Sequence, residues 1–223
     1  MIRGLLFDLD DTLIPSSRLY ASALRACGVD PQGDAYRTAR ARVKERLDAG
    51  NPSRHNRALY FQELTQGPGP VSASQGLDLL ERYERALEGL IRESWAALGR
   101  DALFARLSAR YRLCLVSNET ARTQLKKLRA MDPDGRYFEA LVVSEGVGVE
   151  KPALPVFEEG LRRLDLPASA CAMIGDDLAR DLLPARALGM QVIQSAEFVG
   201  GATPEIPGIP RLAALADLEG LLE

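Results

Sequence analysis

Two patterns of apolar and polar positions divide this chain. Five short runs are apolar almost throughout: IRGLLFD (2–8), RLCLVSN (112–118), ALVVSE (140–145), ACAMIGD (170–176) and MQVIQ (190–194). Each is bounded by turn or polar residues, as strands buried on both faces tend to be. Between the later runs, apolar residues recur at helical spacing instead: Ala121, Leu125 and Leu128, then Val156, Phe157, Gly160, Leu161 and Leu164, then Leu182, Ala185 and Leu188. Pro152 is placed to open the second of these helices. Asp181 is placed to cap the third, with Pro184 tolerated inside its first turn. Strand and helix in alternation predict an α/β fold with a doubly wound parallel sheet.

The alternation is interrupted once. From Pro15 to about Leu98 the pattern is helical only, with segments at 17–27, 35–49, 54–65 and 74–98 and a Pro/Gly-rich loop, QGPGPVSASQG, at 66–76. The expectation is a helical cap domain, 15–98, inserted after the first strand of a core formed by 1–14 and 99–223. The tail predicts a loop over FVGGATPEIPGIP and then a short amphipathic helix from Arg211. Composition changes this picture little. With 223 residues, 46% hydrophobic and 26% charged, the chain is long enough for a substantial core. A net charge of -3 supplies no field for nucleic acid or a membrane surface. Asp8 interrupts the first apolar run before a signal segment could form, and no run approaches membrane-spanning length; a cytoplasmic location is expected. Cys27, Cys114 and Cys171 are far apart and form no CxxC pair, which predicts core thiols.

The candidate chemistry begins where the first strand ends, at FDLDDT (7–12). Residues two apart on an extended segment point the same way, so Asp8 and Asp10 can share a site at the carboxyl edge of the sheet. One carboxylate can attack an electrophile while its neighbour handles protons, provided a cation offsets their repulsion. Ser117 and Asn118 follow the second strand and precede a helix from Glu119, where a hydroxyl and free N–H groups can seat a phosphate. Lys151, one of four lysines, stands in VEKPALPVF and can reach a phosphate or screen a carboxylate. Asp176, Asp177 and Asp181 cluster in IGDDLARD, which suits a Mg²⁺ site. Each feature alone is equally a capping turn or a solvated polar patch; the four in order at successive strand ends are much more specific. The cluster Arg54, His55 and Arg57 in NPSRHNR (51–57) is expected to be solvated surface, and Trp95 a packing residue.

This constellation resembles the haloacid dehalogenase-like hydrolase superfamily over residues 1–14 and about 101–195. DLDDT is similar to its first motif, VSN to the second, EKP to the third, and GDDLARDLLPARALGM to the fourth. The helical insert resembles the type-I cap of its phosphatase-rich subfamily. The resemblance implies a Rossmann-like core and an Mg²⁺-dependent hydrolase of small phosphomonoesters. Asp8 would be the nucleophile and Asp10 the acid and base. Mg²⁺ would bind Asp8, the Asp10 carbonyl and Asp176, with Asp181 secondary. Ser117, Asn118 and Lys151 would hold phosphoryl oxygens, Lys151 also restraining Asp8. The substrate would be a small phosphorylated metabolite. A phosphoryl mutase of the β-phosphoglucomutase kind shares these motifs; a dehalogenase would lack the acid at Asp10.

Overall fold

The computed structural model describes residues 1–66, 73–199 and 206–222. The strands β1 (Gly4–Phe7), β2 (Arg112–Ser117), β3 (Ala140–Val143), β4 (Cys171–Gly175), β5 (Gln191–Ser195) and β6 (Arg211–Leu212) form one sheet in the order β3-β2-β1-β4-β5-β6. All five pairings are parallel. The central strand β1 therefore lies where the winding reverses, and ligands of such sheets bind outside the carboxyl ends there.

The apolar runs are continuous because successive side chains enter different layers. Leu5, Phe7, Leu113, Leu115, Ala172, Ile174 and Ile193 pack into one cluster with Leu103, Phe104 and Trp95. Leu6, Cys114, Val116, Cys171, Met173 and Val192 pack into the other with Val156, Phe157, Leu164 and Leu182. The helix α8 (Leu154–Leu164) approaches the second face closely at Gly160, where a Cβ would sit 2.8 Å from Leu6 Cδ2. All three cysteines are buried free thiols, and Trp95 stacks on Phe104 at 5.0 Å, as expected of packing residues.

Between β1 and β2 run the helices α1 (Ser16–Ala26), α2 (Asp34–Arg46), α3 (Arg57–Thr65), α4 (Ala73–Ala97) and α5 (Arg100–Ser108), with a 3₁₀ turn at Pro52–His55. The first four match the helical segments of the sequence within a few residues. Tyr36, Tyr60, Phe61, Tyr83 and Leu87 join them to the same cluster as the first face of the sheet. The loop expected at 66–76 lies mostly outside the described residues, as does part of the one at 198–210. No helix among the described residues is long and apolar enough to cross a membrane.

Several local expectations are corrected. The helix after β2, α6 (Ala121–Met131), starts two residues later than Glu119 and buries Gln124 and Lys127 rather than Leu125, which is 58% exposed. β3 ends at Val143, and Ser144 begins the short helix α7 (Ser144–Val147). α8 carries Pro155, not Pro152, in its first turn, because the chain turns once more after Lys151. After β4 comes a π-helical turn, Leu178–Leu182, then α9 (Leu183–Ala187), with Pro184 in its first turn. The cap there is Asp177, whose carboxylate accepts from the Ala179 and Arg180 N–H groups; Asp181 is buried with another partner. Arg211 opens no helix: it and Leu212 form β6, held by Gln194 N–H to Pro210 and Ala196 N–H to Leu212, and a 3₁₀ helix follows at Leu215–Leu221.

Candidate active site

The three acids after β1 go three ways. Asp8 continues the strand, its N–H donating to Ile174 O at 2.9 Å. The chain then tightens into a turn, with Leu13 N–H bonded to Leu9 O and Asp11 held at φ +59°. Asp11 faces the start of α1 and accepts from Ser17 N–H at 3.0 Å, so it is absorbed in local structure. Asp8 and Asp10 remain for chemistry.

Asp8 enters an acidic cluster. Carboxylate oxygens of Asp8, Asp176 and Asp181 all lie within 4.8 Å of one another. Lys151, itself buried, donates to Asp8 Oδ1 and Asp181 Oδ1, each at 2.6 Å. Thr12 Oγ1 donates to Asp176 Oδ1 at 3.1 Å, and Asp181 accepts from Asp177 N–H at 3.2 Å. Gly175 makes room for this arrangement: a Cβ there would sit 2.6 Å from the Asp181 side chain. One ammonium cannot balance three carboxylates. Burial, with repulsion from Asp181, Asp176 and Asp10, holds Asp8 well above the usual carboxylate range despite Lys151. Burial and Asp181 push Asp176 up to about 7. Burial works against the Lys151 ammonium, but Asp181 and Asp8 outweigh it and raise its pKa. A hard divalent cation fits this set, since Mg²⁺ takes oxygen ligands and needs only one or two protein carboxylates.

Asp10 is set apart. Its carboxylate accepts from Lys127 Nζ at 2.7 and 2.8 Å, Tyr20 Oη at 2.7 Å and Gln124 Nε2 at 3.1 Å. Burial opposes its charge, yet Lys127 wins and lowers it to about 2. Its side chain thus faces Lys127 rather than the acidic cluster. Lys127, Gln124 and Tyr20 are site residues that the sequence pattern did not single out; the one available signal was that Lys127 is among four lysines.

Ser117 Oγ accepts from Gln124 Nε2 at 2.9 Å, which ties the end of β2 to α6. The Asn118 amide clamps the backbone of Lys151, donating to its O at 2.9 Å and accepting from its N–H at 2.7 Å. Asn118 therefore positions the segment that carries the lysine. Asp8, Asp10, Ser117, Asn118, Lys151, Asp176 and Asp181 all line a single cavity of about 310 Å³. From the other side His55 and Arg57 line it too, so they are not the solvated surface expected: Arg57 is only 13% exposed and lies over the rings of Tyr20 and Tyr60.

A family model described as haloacid dehalogenase-like hydrolase matches residues 2–189. The chain is similar to ribulose-1,5-bisphosphate 5-phosphatase of Halopiger xanaduensis, 31% identical over 86% of this chain and 84% of the relative. It is 27% identical to glyceraldehyde 3-phosphate phosphatase of Pyrococcus abyssi, over 86% and 81%. Among solved structures it resembles the hydrolase YfnB of Bacillus subtilis bound to magnesium, with TM-score 0.69 and 25% identity over 99% and 98% of the two chains.

Proposed function

The chain belongs to the haloacid dehalogenase-like hydrolases as a phosphoric monoester hydrolase, and from that premise we propose that it hydrolyses small phosphorylated metabolites with Mg²⁺, through an aspartyl-phosphate on Asp8. The observation that carries this is the separation of two aspartates: Asp8 among Asp176, Asp181 and Lys151, Asp10 apart on Lys127.

In the first step an Asp8 oxygen attacks phosphorus and the ester P–O bond breaks. The Asp10 carboxylate, ionised beside Lys127 in the resting site, takes up a proton with the incoming monoester and passes it to the departing alkoxide. In the second, Asp10 takes a proton from water as that water attacks the phosphoaspartate, which returns Asp8 and releases phosphate. Positioned proton transfer of this kind contributes roughly 10²–10⁴-fold. Lys151 fixes one Asp8 oxygen, and the other, with only a long contact of 3.4 Å from Thr12 Oγ1, is left to attack. Ser117, the Asn118 N–H and Lys151 hold phosphoryl oxygens. Asp8, Asp176 and the Asp10 carbonyl would hold the cation, with Asp181 as a secondary ligand; when bound it neutralises charge on the transferring group. An acid at position 10 is what an alcohol leaving group needs and a halide does not. The helices of 15–98 serve as a cap over this site.

Phosphate release from p-nitrophenyl phosphate in Mg²⁺, before and after EDTA, tests the reading. Turnover should require the metal and vanish in Asp8→Asn. Undiminished release in EDTA or in that variant would refute it.

A further inference from the structure

The cavity over Asp8 has walls of opposite charge. The core contributes seven carboxylates against two cations, Lys151 and Arg180. The inserted helices and the turn between them contribute Ser17, Tyr20, Arg40, His55 and Arg57, with no carboxylate among them. Arg57 is the half-buried cation of this wall, with 13% of its side chain exposed. Its guanidinium is pinned over two rings, 4.8 Å from the centroid of Tyr20 and 5.2 Å from that of Tyr60. One terminal nitrogen donates to His55 O at 2.8 Å. The same nitrogen stands 3.8 Å from Glu119 Oε1, too far for a charge-assisted hydrogen bond. Its Nε is buried with no hydrogen-bond partner among the described residues. Nε is sealed from solvent and one terminal nitrogen already has His55 O, so the donors left for an incoming anion are those on the 13% of the side chain that reaches the cavity. His55 Nε2 beside it stands 3.2 Å from Glu150 Oε1, and Arg40 is exposed at the rim. Lys44 nearby is pushed below its ordinary pKa by burial and then by Arg40, Arg54 and Arg57, in keeping with a cationic wall.

We propose that this wall, anchored by Arg57, binds a second anionic group of the substrate: the molecule cleaved at Asp8 is a small phosphate ester with a carboxylate or another phosphate at its far end. The phosphoryl group that is transferred already has Lys151, Ser117 and Asn118, so Arg57 on the opposite wall is left for the remainder of the molecule. The cavity volume of about 310 Å³ is at the small end for ligand sites, which suits a short carbon chain. This inference rests on the hydrolase reading above and deepens it.

The test compares kcat/KM for glyceraldehyde 3-phosphate, whose far end is neutral, with 3-phosphoglycerate and fructose 1,6-bisphosphate, in Mg²⁺-loaded wild type, Arg57→Met and Arg57→Lys. Wild type should favour a doubly anionic substrate. Arg57→Met should cut that preference by roughly 30–100-fold, the lower range for truncating one partner of a hydrogen-bonded charge pair, mainly through KM. Arg57→Lys should keep part of it and guards against a folding defect in the first variant. Whichever of the two doubly anionic probes loses more identifies the second group. Equal losses on neutral and doubly anionic substrates would overturn the proposal and assign Arg57 to the transferred phosphoryl; no loss on any would overturn it as well. Calorimetric binding of 3-phosphoglycerate and fructose 1,6-bisphosphate to Asp8→Asn, with and without Arg57→Met, separates the two readings. Arg57-dependent binding without any turnover by wild type would support the anion wall and sink the hydrolase.

Discussion

Replacing Lys127 by Met keeps most of the stem and removes the ammonium that bonds both oxygens of Asp10. Lys127 is fully buried, whereas the Asp10 side chain keeps 25% exposure, so the loss should fall below that of a wholly buried pair. Asp10 is lowered from its ordinary 3.8 to about 2, chiefly by Lys127 acting against burial. At about 1.4 kcal/mol per tenfold, that gap is worth about 2 kcal/mol at neutral pH. A depressed carboxylate stabilises fully above its unfolded value and loses the contribution as pH falls toward its folded one. The contribution should therefore shrink to about 1 kcal/mol near pH 3. For a chain of this length 2 kcal/mol corresponds to about 4–8 °C in Tm. Thermal unfolding of EDTA-treated wild type, Asp10→Asn, Lys127→Met and the double variant isolates the pair as a coupling of at least about 2 kcal/mol at pH 7, since Lys127 must also offset the burial that opposes the charge. A Lys127→Met protein with the Tm of wild type, or a deficit that does not diminish toward pH 3, would refute the assignment.

Asp8→Asn should abolish turnover yet hold or raise the Tm of the metal-free protein, because it relieves a carboxylate that burial and three other acids disfavour; a fall in Tm would contradict this. Mg²⁺ should raise Tm, by about 3 kcal/mol of stabilisation at a hundred times its Kd, and more at pH 8 than at pH 6. The sign follows from Asp176, raised to about 7: without metal it contributes stability below pH 4 that is lost as pH rises toward 7, whereas Mg²⁺ needs it ionised. A metal-induced shift equal at both pH values would count against Asp176 as a ligand. Gly175→Ala forces a methyl to within 2.6 Å of Asp181 and should lower kcat at least about tenfold, as misplacement of catalytic groups does; unaltered kcat would mean that Asp181 can move without consequence.

The central strands were legible because both faces of the sheet are covered, so Leu5 and Leu6, or Leu113 and Cys114, are apolar in succession although they enter different layers. β6 was not, because two residues carry no period; its pairing to β5 rests on backbone bonds that any side chain allows. The phase of α6 was misread for a different reason. Leu125 and Leu128 suggest an apolar stripe, but the face turned inward carries Gln124 and Lys127, which burial tolerates only because Asp10, Tyr20 and Ser117 receive their donors.

The candidate site divides along the same line. Which residue types gather at the strand ends could be read locally, since each follows an apolar run. Which acid meets which cation could not be read from the residues themselves: the family resemblance alone paired Lys151 with Asp8, and nothing paired Lys127 with Asp10. Asp8 finds Lys151 at a separation of 143 residues, and Asp10 finds Lys127 at 117. Those pairings follow from strand order and helix phase, and they decide the chemistry. Exchange the partners, and Asp10 would crowd the carboxylate cluster while Asp8 lost the fixed ammonium that leaves one of its oxygens free. Asp177 and Asp181 show the limit most plainly: four residues apart and both able to cap a turn, they part company because Asp181 falls beside Gly175 and within reach of Lys151, while Asp177 keeps the helix start. Arg57 follows the same logic. Between Asn56 and Ala58 it has the look of a solvated basic turn, and it is the rings of Tyr20 and Tyr60 with the His55 carbonyl that hold it at the cavity wall.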